Sequence, residues 1–174
     1  MNKLIILVLL LFTTSSSIDP NKIENNVETS GIYIEDAQYN IHIDVETTTE
    51  NKLNLVVKME LKNGSHFASP HNTRNLKEQF YMDLGSYTDI DFVDAHIETP
   101  KPKSGCGSSA YSDTKVNWIK TNTTYRQPLH VISKGDFQVF GRIKFVIEPR
   151  CTLEELPFAI ISKNGEFKVT QPKC

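Results

Sequence analysis

Apolar residues recur at every second position over several short stretches of this chain. Ile41, Ile43 and Val45 alternate with His42, Asp44 and Glu46, the period of two that turns one face of a strand into a core. Leu53, Leu55, Val57, Met59 and Leu61 repeat the pattern, interleaved with Asn54, Val56, Lys58 and Glu60, after the polar turn Glu50-Asn51-Lys52. The two runs predict a hairpin. Phe80 with Met82, then Ile90, Phe92 and Ile97, predict two further strands separated by Gly85-Ser86. Val116 and Trp118 mark a short strand, and Leu129 and Val131 another. The longest run is Phe137, Val139, Gly141, Ile143, Phe145 and Ile147, alternating with Gln138, Phe140, Arg142, Lys144 and Val146. Apolar residues fall on parts of both its faces, which predicts a central strand. Residues 158–161, the turn Asn164-Gly165, and Phe167 with Val169 predict a terminal hairpin.

No window places apolar residues at helical spacing, and strand signals recur with turn signals between them, so the pattern predicts an all-β sandwich. Two polar stretches read as loops: residues 65–77 around the single aromatic Phe67, and residues 99–113 with Pro100, Pro102, Gly105 and Gly107. Residues 18–38 read as a polar arm in which Ile32 and Ile34, flanking Tyr33, could begin a strand. The β-sandwich is expected as one domain over residues 39–174, since no linker divides it.

The first 17 residues change the picture. Lys3 precedes an unbroken apolar run over residues 4–12, and small hydroxyl residues follow. A spanning helix needs about 20 apolar residues, so the run reads as a signal peptide cleaved after about Ser17, and the chain as secreted or periplasmic. The mature chain is then not expected to span a membrane. With 19 Lys+Arg against 21 Asp+Glu, the chain lacks the basic surface that a general nucleic-acid binder needs.

Export makes the three cysteines informative, because disulfides persist outside the cytosol. Three thiols close at most one disulfide. Cys106 lies in Ser104-Gly105-Cys106-Gly107-Ser108, Cys151 follows Pro149-Arg150 at the end of the long strand, and Cys174 is the last residue. Cys151 with Cys174 is the preferred pair, a staple on the terminal hairpin, with Cys106 left over. Arg150 beside Cys151 would favour a thiolate, whereas Glu154 and Glu155 would oppose it. His66 and His71 share a loop, but no acidic or cysteine ligand stands at a spacing that completes a metal motif. No nucleophile elbow, phosphate loop or dinucleotide fingerprint occurs, so no cofactor is expected. Glu154 and Glu155 read as a solvated turn. Asn63-Gly64-Ser65 and Asn122-Thr123-Thr124 satisfy the glycosylation sequon, which acts only where a glycosylating secretory pathway handles the chain.

Several of these features together resemble a known family. The strand over residues 53–61 runs into Asn63-Gly64-Ser65-His66-Phe67; later come Val116-Asn117-Trp118, Leu129-His130-Val131, and Val139-Phe140-Gly141-Arg142-Ile143-Lys144-Phe145 leading to Cys151 and Pro157. This order is similar to the amino-terminal periplasmic domain of DsbD-type thiol:disulfide interchange proteins. The resemblance implies an immunoglobulin-like β-sandwich that relays reducing equivalents between a membrane electron donor and exported thiol proteins. Exchange needs one thiol to attack and another to resolve. Cys151 stands in the matching region, the family's second cysteine nearby is absent, and Cys174 or Cys106 would have to replace it. The alternative expectation is a non-catalytic exported sandwich with one structural disulfide. It would bind a protein or ligand through residues 63–77 and 99–115, with His66, Phe67 and Cys106 as loop candidates.

Overall fold

The computed structural model describes residues 31–50, 52–72, 78–101, 108–109 and 112–172. Every regular element among them is a strand. In chain order these are β1 (Ile32–Glu35), β2 (Tyr39–Thr47), β3 (Leu53–Leu61), β4 (Phe67–Ala68), β5 (Tyr81–Leu84), β6 (Ile90–Phe92) and β7 (Ile97–Thr99). There follow β8 (Ser108–Ser109), β9 (Ser112–Lys115), β10 (Trp118–Ile119), β11 (Thr123–Val131), β12 (Phe137–Ile147), β13 (Thr152–Lys163) and β14 (Glu166–Thr170). Among the described residues no helix is long and apolar enough to cross a membrane.

The strands form the all-β sandwich that the alternation predicts. One sheet has the order β1-β2-β3-β11-β6, with β7 also paired to β11; the other has the order β14-β13-β12-β5. Two short ribbons, β10-β4 and β8-β9, accompany them. The predicted hairpins are present. β2 and β3 pair from Tyr39 with Leu61 to Thr47 with Leu53. β13 and β14 are joined by Asn164-Gly165, whose φ angles of 53° and 80° give the left-handed pair that a two-residue hairpin turn requires.

The two sheets bury their alternate residues in one core. Ile41, Ile43, Leu55, Val57, Met59 and Tyr125 come from the first sheet; Val139, Ile143, Phe145, Phe158 and Ile160 come from the second. Aromatic rings bridge the layers: Tyr39 meets Phe145 edge-on at 5.2 Å between centroids, and Phe80 stacks on Tyr125 at 4.1 Å.

Several local expectations are corrected. The strand that Ile32 and Ile34 could begin is β1, within the stretch otherwise read as an arm, and these residues pair with Ile43 and Ile41. Residues 65–77 are not simply a loop: Phe67 lies on β4, fully buried against Phe80, Tyr125 and Phe145. The stretch 99–113 contains β8 and the start of β9 among its described residues. The short strand read at Leu129 and Val131 is nine residues long, because Thr123, Tyr125 and Gln127 also point inward and are buried. Pro128 fits within it while its carbonyl accepts from Val93 N–H at 3.1 Å. Glu154 and Glu155 lie on β13, not in a turn.

Candidate functional site

Three places in the sandwich concentrate chemistry. The first is the turn between β12 and β13, which carries Cys151. Its thiol is free, exposed and held with φ at 53°, in the left-handed region that side chains rarely adopt. Cys151 Sγ donates to Glu148 Oε2 at 3.0 Å. That bond and the Glu148 charge push the thiol above its ordinary value, because both favour the protonated sulfur. Arg150 does not counteract them. Its guanidinium is committed to Asp36 at 3.2 Å and to Glu154 at 2.6 Å, and Glu154 also accepts from Tyr39 Oη at 2.9 Å. Glu148, which sequence reasoning passed over, therefore controls this thiol; Glu154 is spent on Arg150 and Tyr39.

His66 belongs to the same end. Its backbone exchanges two hydrogen bonds with Glu148, at 3.1 and 2.9 Å, and its ring stands edge-on to Trp118 at 5.1 Å. The fold thus brings His66 and Cys151 to one residue, Glu148. It does not bring Phe67 there, since that ring is in the core and offers no binding surface. Cys106 and Cys174 lie outside the described residues, and so does the expected Cys151–Cys174 bond.

The second place is a polar cluster at the margin of the core. Tyr125 on β11 pairs with Glu98 on β7, and both side chains are buried. Ser69, just after β4, donates its hydroxyl to Glu98 Oε2 at 2.9 Å and accepts from the His71 N–H at 3.1 Å. The His71 ring stacks on His96 with centroids 4.8 Å apart, and His96 meets Tyr125 edge-on at 5.9 Å. His96 Nε2 is buried without a hydrogen-bond partner, while Tyr125 Oη and the Glu98 carboxylate, set opposite each other by the β7–β11 register, interact with each other. Burial raises the Glu98 carboxyl, and burial followed by the neighbouring His71 charge lowers the His96 imidazole. The residues recruited here are single polar positions on strands or loops, and no spacing in the sequence announces them. Among the described residues, no group of three or more His, Cys, Asp or Glu is arranged to hold a metal ion.

The third place is a cleft of about 580 Å³. Thr48, Thr49, Glu50 and Lys52 close one side and the segment around Val93, Asp94 and Ile97 the other, with Asn54, Pro128 and His130 between them. Asn54 and Pro128 are register partners on β3 and β11, so the cleft lies on the face of the first sheet that points away from the core. Asp94, with φ at 59°, turns the chain between β6 and β7. Gln127 Nε2 clamps that turn by donating to the Val93 and Asp94 carbonyls at 3.0 and 3.2 Å. Val93 and Ile97 are left exposed at its mouth.

No protein-family model, curated protein or solved structure matches the chain.

Proposed function

We propose that this chain is an exported, non-catalytic β-sandwich that binds a small apolar ligand in the cleft over Asn54 and Pro128. The cleft carries this reading: its 580 Å³ falls within the roughly 300–1,000 Å³ typical of small-molecule sites. Its wall is preformed, since Gln127 fixes the 93–94 turn from within the sheet. The apolar run at residues 4–12 supports export.

The exposure of Cys151 favours a second reading, a thiol–disulfide module serving exported thiol proteins or a membrane electron donor. The order β2-β3-β11-β7 opposite β5-β12-β13 supports the immunoglobulin-like sandwich of that family, because it follows the ABED and CFG strand order. The thiol proton held by Glu148 weighs against it, since exchange requires a thiolate.

Titration with Nile red, a neutral apolar dye, tests the binding reading. Val93→Glu and Ile97→Glu alter exposed positions and should leave the circular-dichroism spectrum unchanged while weakening dye binding by about tenfold or more, because each replaces an apolar part of the wall with a charge that a neutral dye cannot pair. Equal dye binding by the wild type and both variants would overturn the assignment.

A further inference from the structure

Residues 69–72, directly after β4, are tied down by polar groups. Ser69 N–H donates to the Asn117 carbonyl at 2.8 Å, and Asn117 N–H donates to Asn72 Oδ1 at 2.7 Å. Asn117 Nδ2 reaches the His71 carbonyl at 3.2 Å, and Asn72 Nδ2 donates to the Ser69 carbonyl. On the other side, Ser69 Oγ is fastened to Glu98 and the His71 ring lies on His96. Residues 69–72 thus form a strap between Asn117, beside β10, and the Glu98–His96 cluster beside β7.

Two stacked imidazoles with a carboxylate and a phenol beneath them make this strap sensitive to protons. We propose that residues 69–72 are a pH-operated strap, held closed at neutral pH by the His71–His96 stack and the Ser69–Glu98 bond, and released on mild acidification.

The titratable groups that meet the pair are Glu98 from β7 and Tyr125 from β11; the strap itself supplies His71. A proton on His96 would place a half-buried charge against the His71 ring at stacking distance, with no hydrogen-bond acceptor at Nε2 to hold it. The sign follows from the shifts. His96 is lowered, so the unfolded chain binds its proton more readily, and the stability of the closed arrangement is lost as pH falls below the ordinary imidazole range. Glu98 is raised and acts oppositely: its burial is cheaper once protonated, so the β7–β11 pairing survives acid while the strap opens. The released element is therefore local, and the sandwich stays folded.

Amide NMR of the full chain between about pH 7.5 and pH 5 reads the strap directly. The expected result is a shared transition at the Ser69, Asn72 and Asn117 amides, with the Phe145 and Ile160 amides of the core unmoved. His96→Gln and His71→Gln should each abolish the transition, and His66→Gln should leave it intact although that ring lies beside Trp118. Amides that do not respond between those pH values, or a transition that persists when both His71 and His96 are replaced, would overturn the proposal. If His96→Gln loosens the fold, His71→Gln alone decides, because that side chain is exposed.

Discussion

A single carboxylate sets the chemistry of the exposed thiol. Cys151 looks, from its neighbour Arg150, like a thiol poised for ionisation, but the guanidinium is turned to Asp36 and Glu154 while the thiol keeps its proton and donates a hydrogen bond to Glu148. Removing the Glu148 charge should reverse this. In a chain carrying Cys106→Ser and Cys174→Ser, Glu148→Gln is expected to speed alkylation of Cys151 at neutral pH by about three- to tenfold, as the thiolate fraction rises. The pH–rate profile should shift to lower pH. An unchanged profile would show that Glu148 does not hold the proton. The reason the sequence hides this is geometric: Glu148 and Cys151 are three residues apart, and only the tight turn at φ 53° folds one back onto the other.

Among the elements, β12 is the most constrained. It is flanked by β13 and β5, and Gly141 sits where both neighbours come closest. A methyl group there would run into the Phe158 ring and within 2.6 Å of the Asp83 carbonyl oxygen. Gly141→Ala is expected to cost about 1–3 kcal/mol in denaturant unfolding, the usual penalty of overpacking; an unchanged midpoint would mean that Phe158 can move aside. Strands whose apolar residues alternate, such as β2 and β3, were legible from that alternation, although Val56 on the other face of β3 is buried too, and so was the Asn164-Gly165 turn. β11 was legible only at its end, because its inward positions include Thr123 and Gln127, and polar residues facing a core erase the pattern. β4 was lost in a polar stretch because two residues are too few to show any period. The polar cluster was invisible for a related reason: Ser69, His71, His96, Glu98 and Tyr125 come from separate segments, and only the β7–β11 register and the β4–β10 ribbon gather them.

At the scale of the molecule, an ionic network among the described residues joins the two sheets. Asp36, after β1, reaches Arg150 at the foot of β13, and Glu154 on β13 reaches Tyr39 on β2. The Asp36 carboxyl is held below the usual range, first by the Gln38 N–H and then by Arg150. A lowered carboxylate stabilises the fold above its unfolded value, and that contribution is lost as pH falls through the lowered one. The melting temperature should therefore fall as pH drops through and below the ordinary carboxylate range. Arg150→Gln should flatten that fall in part, since the Gln38 bond remains, and should lower the melting temperature at neutral pH only slightly, because the pair is partly exposed. Parallel curves for the two proteins would show that Arg150 contributes nothing to acid sensitivity.

The order of strands within the sheets also fixes what an incomplete chain can do. β3 has β2 on one edge, but its other edge is closed only by β11, and the bond from Leu61 N–H to Asn122 spans 61 residues. β5 has no sheet to join until β12 exists. A chain that emerges from its amino terminus therefore carries the β2–β3 hairpin with Leu55, Val57 and Met59 uncovered while more than half of the second sheet is still unmade. Such a hairpin is a ready template for pairing with a neighbouring chain. Growing copies held close together are then exposed to mispairing from the completion of β3 until β11 and β12 arrive in succession.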